Sequence, residues 1–168
     1  MSAFRQAVNE AMRWLASRED TIFVGQSVCY DGAAIYDSLD GVPMEKRLEM
    51  PVIEDFQMGY CTGLALGGKL PVCVYPRMDF MLLCMNQLVA HLDKMPAFGY
   101  RPRVIIRTTL GTNNVLNAGP QHTQDHVEAF RMMLKNVRVL KVWNPTGVMY
   151  AYREAVEYEG STLIVEAG

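Results

Sequence analysis

Apolar residues recur at Phe4, Ala7, Val8, Ala11, Met12 and Leu15, the 3.6-residue spacing of an amphipathic helix over 2–17. The pattern then changes. Thr21-Ile-Phe-Val-Gly25 is a short apolar run of the kind that forms a buried strand. The same alternation predicts a short helix over 32–39, a strand over 48–53, a helix over 55–67 and a strand over 70–75. A helix over 79–91, a strand over 103–108 and a long polar loop over 110–124 follow. The chain closes with a helix over 125–134, a strand over 137–143, a helix over 146–158 and a strand over 162–166. Strands that alternate with helices of this length imply crossover connections. The expected fold is α/β: a three-layer arrangement with a parallel sheet covered by helices on both faces.

Two of the predicted helices lack a charged face. Residues 58–67 read Met-Gly-Tyr-Cys-Thr-Gly-Leu-Ala-Leu-Gly, and residues 80–92 read Phe-Met-Leu-Leu-Cys-Met-Asn-Gln-Leu-Val-Ala-His-Leu. A helix that is apolar all round needs cover on every side. A sheet covers one side only, so the pattern points to an oligomer in which another chain covers the rest, the alternative being a central helix in a crowded core.

Composition narrows the picture without naming a function. The 168 residues are read as one domain, 1–168. A chain of this length buries about 70% of its unfolded surface, enough for its own core. The net charge of −2 and the lack of a basic, aromatic-laced stripe argue against nucleic acid. No apolar run reaches the roughly 18 residues of a membrane span, and the N-terminal residues lack the order of a signal peptide. The expected location is the cytoplasm. Cys29, Cys61, Cys73 and Cys84 are scattered in apolar contexts and read as reduced core residues.

Three places carry candidate chemistry. Glu54 and Asp55 open a helix directly after the apolar Met50-Pro-Val-Ile, at the carboxyl edge of a strand, where α/β sheets place ligands. Two acids at a helix N-terminus are also simply favoured by the helix dipole. A carboxyl enclosed by apolar residues is, in addition, a candidate for proton transfer. His122 lies in Gly119-Pro-Gln-His-Thr-Gln124, at the end of the long loop. It is either a proton-moving group or a histidine satisfied within its own turn. His126 follows four residues later, but no third metal ligand is evident, so no metal site is expected. Phe80, in Tyr75-Pro-Arg-Met-Asp-Phe80, stands at a helix start, either to stack on a flat ring or to fill the core. Neither G-x-G-x-x-G nor G-x-x-x-x-G-K-[ST] occurs, so no phosphate loop is expected.

Taken together and in order, these segments resemble the pyrimidine-binding domain of thiamine-diphosphate enzymes, in particular the N-terminal half of the 2-oxoacid dehydrogenase E1 β subunit within the transketolase-like group. Pro51-Val-Ile-Glu54 is similar to the family's Pro-Ile-Ser-Glu, and Gln121-His-Thr-Gln124 to its Gln-His-Ser-Gln. Asp79-Phe80 and Asn86-Gln87 are similar to its Asp/Asn-Phe and Asp-Gln, and Val142-Trp-Asn-Pro-Thr146 stands where it has a proline turn.

The resemblance implies a role for each residue. Glu54 would bond the cofactor's aminopyrimidine and favour the imino form that draws the thiazolium proton. Phe80 would stack on that ring, with Val52 and Tyr75 lining the pocket, and His122 would face the reacting centre. The substrate would be a 2-oxo acid or a ketose, undergoing decarboxylation or acyl or ketol transfer. The sequence has no Gly-Asp-Gly, the motif with which the family's other domain holds Mg²⁺ and the diphosphate. The resemblance therefore implies a partner subunit carrying Gly-Asp-Gly and its Mg²⁺, in an α₂β₂ assembly with self-association. The family's β subunit also has a C-terminal domain beyond these residues, and its lack here favours a small split enzyme. Asp55-Phe-Gln and the turn at Asn144 depart from the family's pattern, which leaves substrate specificity open. The alternative is a non-catalytic scaffold or regulator built on the same domain.

Overall fold

The computed structural model describes residues 2–111 and 118–168. Residues 112–117 of the predicted polar loop lie outside the described residues.

Six strands form one sheet: β1 (Thr21–Gly25), β2 (Arg47–Glu49), β3 (Leu70–Tyr75), β4 (Ile105–Thr109), β5 (Arg138–Val142) and β6 (Thr162–Glu166). Their order is β2-β1-β3-β4-β6-β5, and every pairing is parallel. All the strand exits therefore share one edge, where the order doubles back between β1 and β3.

Helices cover both faces, as the alternating pattern requires. On one face α1 (Ala3–Ala16) packs with α5 (Pro145–Glu157), and Met12, Leu15 and Tyr152 meet Phe23, Val72, Val74, Ile105 and Ile164. Ser2 caps α1 by accepting from the Arg5 N–H, and Asn144 caps α5 by accepting from the Gly147 N–H, which satisfies one exposed donor at each helix start. On the other face, α3 (Glu54–Leu66), a helical run over 78–98 and α4 (Val127–Met133) bury Met58, Met81, Leu88 and Phe130 against Val24, Cys73, Tyr75, Ile106 and Leu163. Neighbouring residues on each strand enter opposite cores because side chains alternate across a strand.

Several boundaries differ from the sequence pattern. The strand expected over 48–53 ends at Glu49. The Met50 N–H makes the last bond to β1, donating to the Gly25 carbonyl, and Pro51 has no N–H to continue the ladder. The Ile53 N–H instead turns back to the Pro51 carbonyl at 2.7 Å. The short helix expected over 32–39 is α2 (Ala34–Asp37). The helix expected over 79–91 is not a plain α-helix. It runs as a 3₁₀ stretch (Met78–Cys84), a wide π turn (Asn86–His91) and a second 3₁₀ stretch (Leu92–Phe98). The polar carboxamide of Gln87, in the wide turn, packs against Gly59, where a Cβ would lie 3.2 Å from its Oε1. Cys61, Cys73 and Cys84 are buried, whereas Cys29 is only half-buried and bonds through its N–H to Glu49.

The outer faces of these helices are apolar and uncovered in the single chain. Phe56 on α3 is 53% exposed and Leu83 on the 78–98 run is 63% exposed. No helix among the described residues is long and apolar enough to cross a membrane.

Candidate active site

The site forms where the strands exit, and its parts come from three stretches of chain distant in sequence. Glu54 is the first residue of α3 and is buried. Ile53 precedes it with no side-chain cap, so the helix starts on a carboxylate in its first turn, where the dipole favours negative charge. The Gln26 side chain, just past the end of β1, donates through Nε2 to Glu54 Oε1 at 3.2 Å. The Tyr75 phenol, at the end of β3, donates to the Glu54 main-chain carbonyl at 2.9 Å. Carboxylate and backbone are thus held from two different strands. Burial first, with the neighbouring thiols of Cys73 and Cys84, pushes the Tyr75 phenol far above its ordinary value. It therefore stays a protonated donor.

Gln26 is itself held in place by its neighbours. Glu49 at the end of β2 accepts from the N–H groups of Ser27, Val28 and Cys29 at 2.6, 2.8 and 2.9 Å. Three donors on one carboxylate fold the chain sharply, and Ser27 takes the left-handed conformation at φ 60°. Gly25, just before, permits a close strand approach, since a Cβ there would sit 2.4 Å from the Val74 carbonyl oxygen.

Phe80 and His122 meet. Their ring centroids are 5.5 Å apart at 68°, an edge-to-face contact, and both side chains are half-buried. Two bonds bring the loop to the helix. Asp79, beside Phe80, accepts through Oδ1 from the Gln124 N–H at 3.3 Å. His122 Nδ1 lies 3.0 Å from the Ala118 carbonyl, an acceptor that makes Nδ1 the protonated nitrogen and leaves Nε2 as the free one. Gly111 allows the close passage of this loop, since a Cβ there would lie 1.8 Å from the His122 carbonyl oxygen.

The remaining residues singled out in the sequence are placed as follows. Tyr75 is fully buried and reaches the site through its hydroxyl. Val52 is 76% exposed and Ile53 is 54% exposed, so the apolar approach to Glu54 is open surface in the single chain. Asp55 is half-buried beside Glu54. Among the described residues no group of three or more His, Cys, Asp and Glu side chains could hold a metal ion.

The pattern of residues did not reveal Gln26, Glu49 or the bond from the Gln124 N–H to Asp79. Each acts through a contact between strand ends that are far apart in the chain. The one available signal was a polar side chain directly after a strand, as with Gln26 after Gly25.

Chemically, the arrangement offers a buried, oriented carboxylate next to an open apolar surface. A half-buried aromatic–imidazole pair stands at the same strand-exit edge of the sheet. Such a set can hold a flat nitrogenous ring at its edge and move protons close by.

Comparison with known proteins follows the same lines. A family model described as transketolase, pyrimidine binding domain matches residues 1–167. The mitochondrial pyruvate dehydrogenase E1 component subunit beta of Chaetomium thermophilum is 25% identical over 169 residues, covering 96% of this chain and 44% of that protein. A split gene transketolase, solved as an inactive β4 tetramer, superposes with a TM-score of 0.75 at 18% identity, covering 98% of this chain and 51% of the other. The transketolase of Campylobacter jejuni gives a TM-score of 0.76 at 15% identity, covering 96% and 25%. The chain spans about half or less of the length of each, and the two structures establish the shared fold.

Proposed function

This chain belongs to the transketolase pyrimidine-binding domain family, and from that membership we propose that it is the pyrimidine-binding subunit of a split thiamine-diphosphate-dependent enzyme acting on a 2-oxo acid or a ketose. The observation that carries the reading is the buried Glu54 carboxylate, oriented by Gln26 and anchored through Tyr75, at the sheet edge where the chain doubles back.

The residues present fit one end of the cofactor. An aminopyrimidine needs an acid at its ring nitrogen, an aromatic face and an apolar wall. Glu54, Phe80 and the exposed Val52 supply those types, with Tyr75 at the end of β3 bonded to the Glu54 backbone. When bound, thiamine diphosphate supplies the nucleophilic carbon that adds to the substrate carbonyl. Glu54 holds a proton at the ring nitrogen, and enclosure strengthens that bond. Gln26 keeps Oε1 aimed, Phe80 covers the ring face, and His122 moves a proton or steers substrate through Nε2.

The other end of the cofactor needs different residues. The sequence has no Gly-Asp-Gly, and no metal-holding cluster occurs among the described residues. On the split-enzyme reading, the diphosphate and Mg²⁺ would be held by a partner subunit bearing Gly-Asp-Gly, in an α₂β₂ assembly. The apolar surface around Val52, Ile53 and Phe56 is where that partner would seal the site. A purely non-catalytic scaffold would have no use for the bond from Gln26 to Glu54.

The test purifies this chain alone and together with a candidate Gly-Asp-Gly-bearing partner, and measures binding of thiamine diphosphate with Mg²⁺. Weak or no binding alone and tight binding together is the expected result. Exchange of the cofactor's C2 proton, followed by NMR in the assembled protein, should slow by orders of magnitude in Glu54→Gln while assembly survives. Unchanged exchange in that variant, or tight cofactor binding by the isolated chain, would overturn the reading.

A further inference from the structure

A second concavity opens on the same sheet edge, on the face covered by α1 and α5. It is a cavity of about 490 Å³, walled by the start of α1, the segment around Ser27 and Ala33–Ser38, and the ends of β3, β4 and β6. Its character is cationic: Arg5, Arg77 and Arg107 line it, and among the described residues Glu166 is the only acid that does.

The three arginines differ in their partners. Arg5 is paired with Asp37 at 2.8 Å. Arg107 is 1% exposed and grips Glu166 through two bonds, of 2.9 and 3.0 Å, while its Nη1 is buried with no hydrogen-bond partner. Arg77 has no ion pair and donates no side-chain hydrogen bond among the described residues. It is half-buried at the end of β3, three residues before Phe80. Its Nη1 and the His122 carbonyl oxygen both crowd one point above Gly111, at 2.7 and 1.8 Å from where a Cβ would stand. Arg77 is therefore where the cavity meets the Phe80–His122 pair. A half-buried guanidinium with no anion among the described residues, lining the same cavity as a second, buried guanidinium with a spare donor, is poised for a bidentate oxyanion.

We propose that Arg77 is a specificity-determining residue that binds an oxyanion of the substrate, a carboxylate or a phosphate ester, seated in this cavity with Arg107 Nη1 as the second donor. The proposal rests on the reading of this chain as a substrate-handling subunit. The Ser27 hydroxyl lines the same wall and can complete the oxyanion's shell. Anchoring there directs the rest of a small substrate toward His122 and Phe80.

The test needs neither cofactor nor turnover, so its outcome is separate from that of the Glu54 experiment. The full chain, labelled with ¹⁵N, is titrated with inorganic phosphate and, separately, with pyruvate, while the amides of Arg77, Thr109 and Gly111 are followed. Saturable shifts at these amides with at least one probe are expected. Arg77→Ala and Arg77→Gln should weaken that binding about tenfold or more, Arg77→Lys less, and Arg153→Ala on α5 not at all. Response to phosphate alone identifies a phosphate ester as the natural group. Response to pyruvate alone identifies a carboxylate, and response to both supports a general oxyanion site. No saturable shift with either probe, or equal binding by wild type and Arg77→Ala, would overturn the proposal.

Discussion

The Tyr75 phenol donates to the main-chain carbonyl of Glu54 at 2.9 Å, so the last residue of β3 holds the first residue of α3. Tyr75→Phe keeps the buried ring and removes only this bond. The expected loss is about 0.5–1.5 kcal/mol of stability. At this chain length that is a fall of roughly 2–4 °C in Tm per kcal/mol. Thermal unfolding followed by circular dichroism reads the stability change. If Tyr75 positions Glu54, the assembled protein should also lose cofactor proton exchange beyond what the small stability change explains. A variant with lowered Tm and wild-type exchange would mark the bond as merely structural.

Arg107 and Glu166 form a buried ion pair between adjacent strands, joined by the Tyr152 hydroxyl, which donates to Glu166 Oε1 at 2.7 Å. Burial works against the charged guanidinium, yet Glu166 beside it holds Arg107 above its ordinary value. Removing one partner strands the other charge in the core. Arg107→Met should cost about 3–5 kcal/mol in urea denaturation, and the double variant Arg107→Met with Glu166→Leu should recover much of it. Equal stability of the single and double variants would show that the two charges do not depend on each other.

Much of the fold was legible along the chain because strands and helices carry different periods. Each predicted strand has a counterpart, and the parallel sheet follows from the helices between them. The misread boundary at 50–53 turns on Pro51, which ends an edge strand inside an apolar run. The 78–98 run shows apolar residues on every side, and that pattern does not distinguish α from 3₁₀ or π turns. Glu54, Phe80 and His122 stood out through local motifs. That they share one edge of the sheet depends on strand order, which local pattern does not carry. Gln26 and Arg77 were missed for that reason: each matters only because strand ends far apart in the chain lie side by side.

Asp93 offers a pH test of the scaffold. Its fully buried carboxylate accepts through Oδ1 from the N–H groups of Lys135, Asn136 and Val137 at 2.9, 2.7 and 3.0 Å, and Lys94 Nζ lies 2.7 Å from Oδ2. Burial alone would raise the acid, but Lys94 and the three N–H groups outweigh it and hold Asp93 below its ordinary value. The folded value is therefore lower than the unfolded one, near 3.9. The stabilisation is complete above that unfolded value and is lost as pH falls through the folded value. Asp93→Asn cannot carry the charge that Lys94 and the N–H groups favour. It should be less stable than wild type near neutrality, and the gap between the two should narrow as the pH drops below about 4. Urea midpoints measured from about neutrality to about pH 3 give the comparison. Asp20 and Asp125, also held low by cationic neighbours, are present in both proteins and cancel in the difference. Parallel curves with a constant gap would show that the bonds to Asp93 do not depend on its charge.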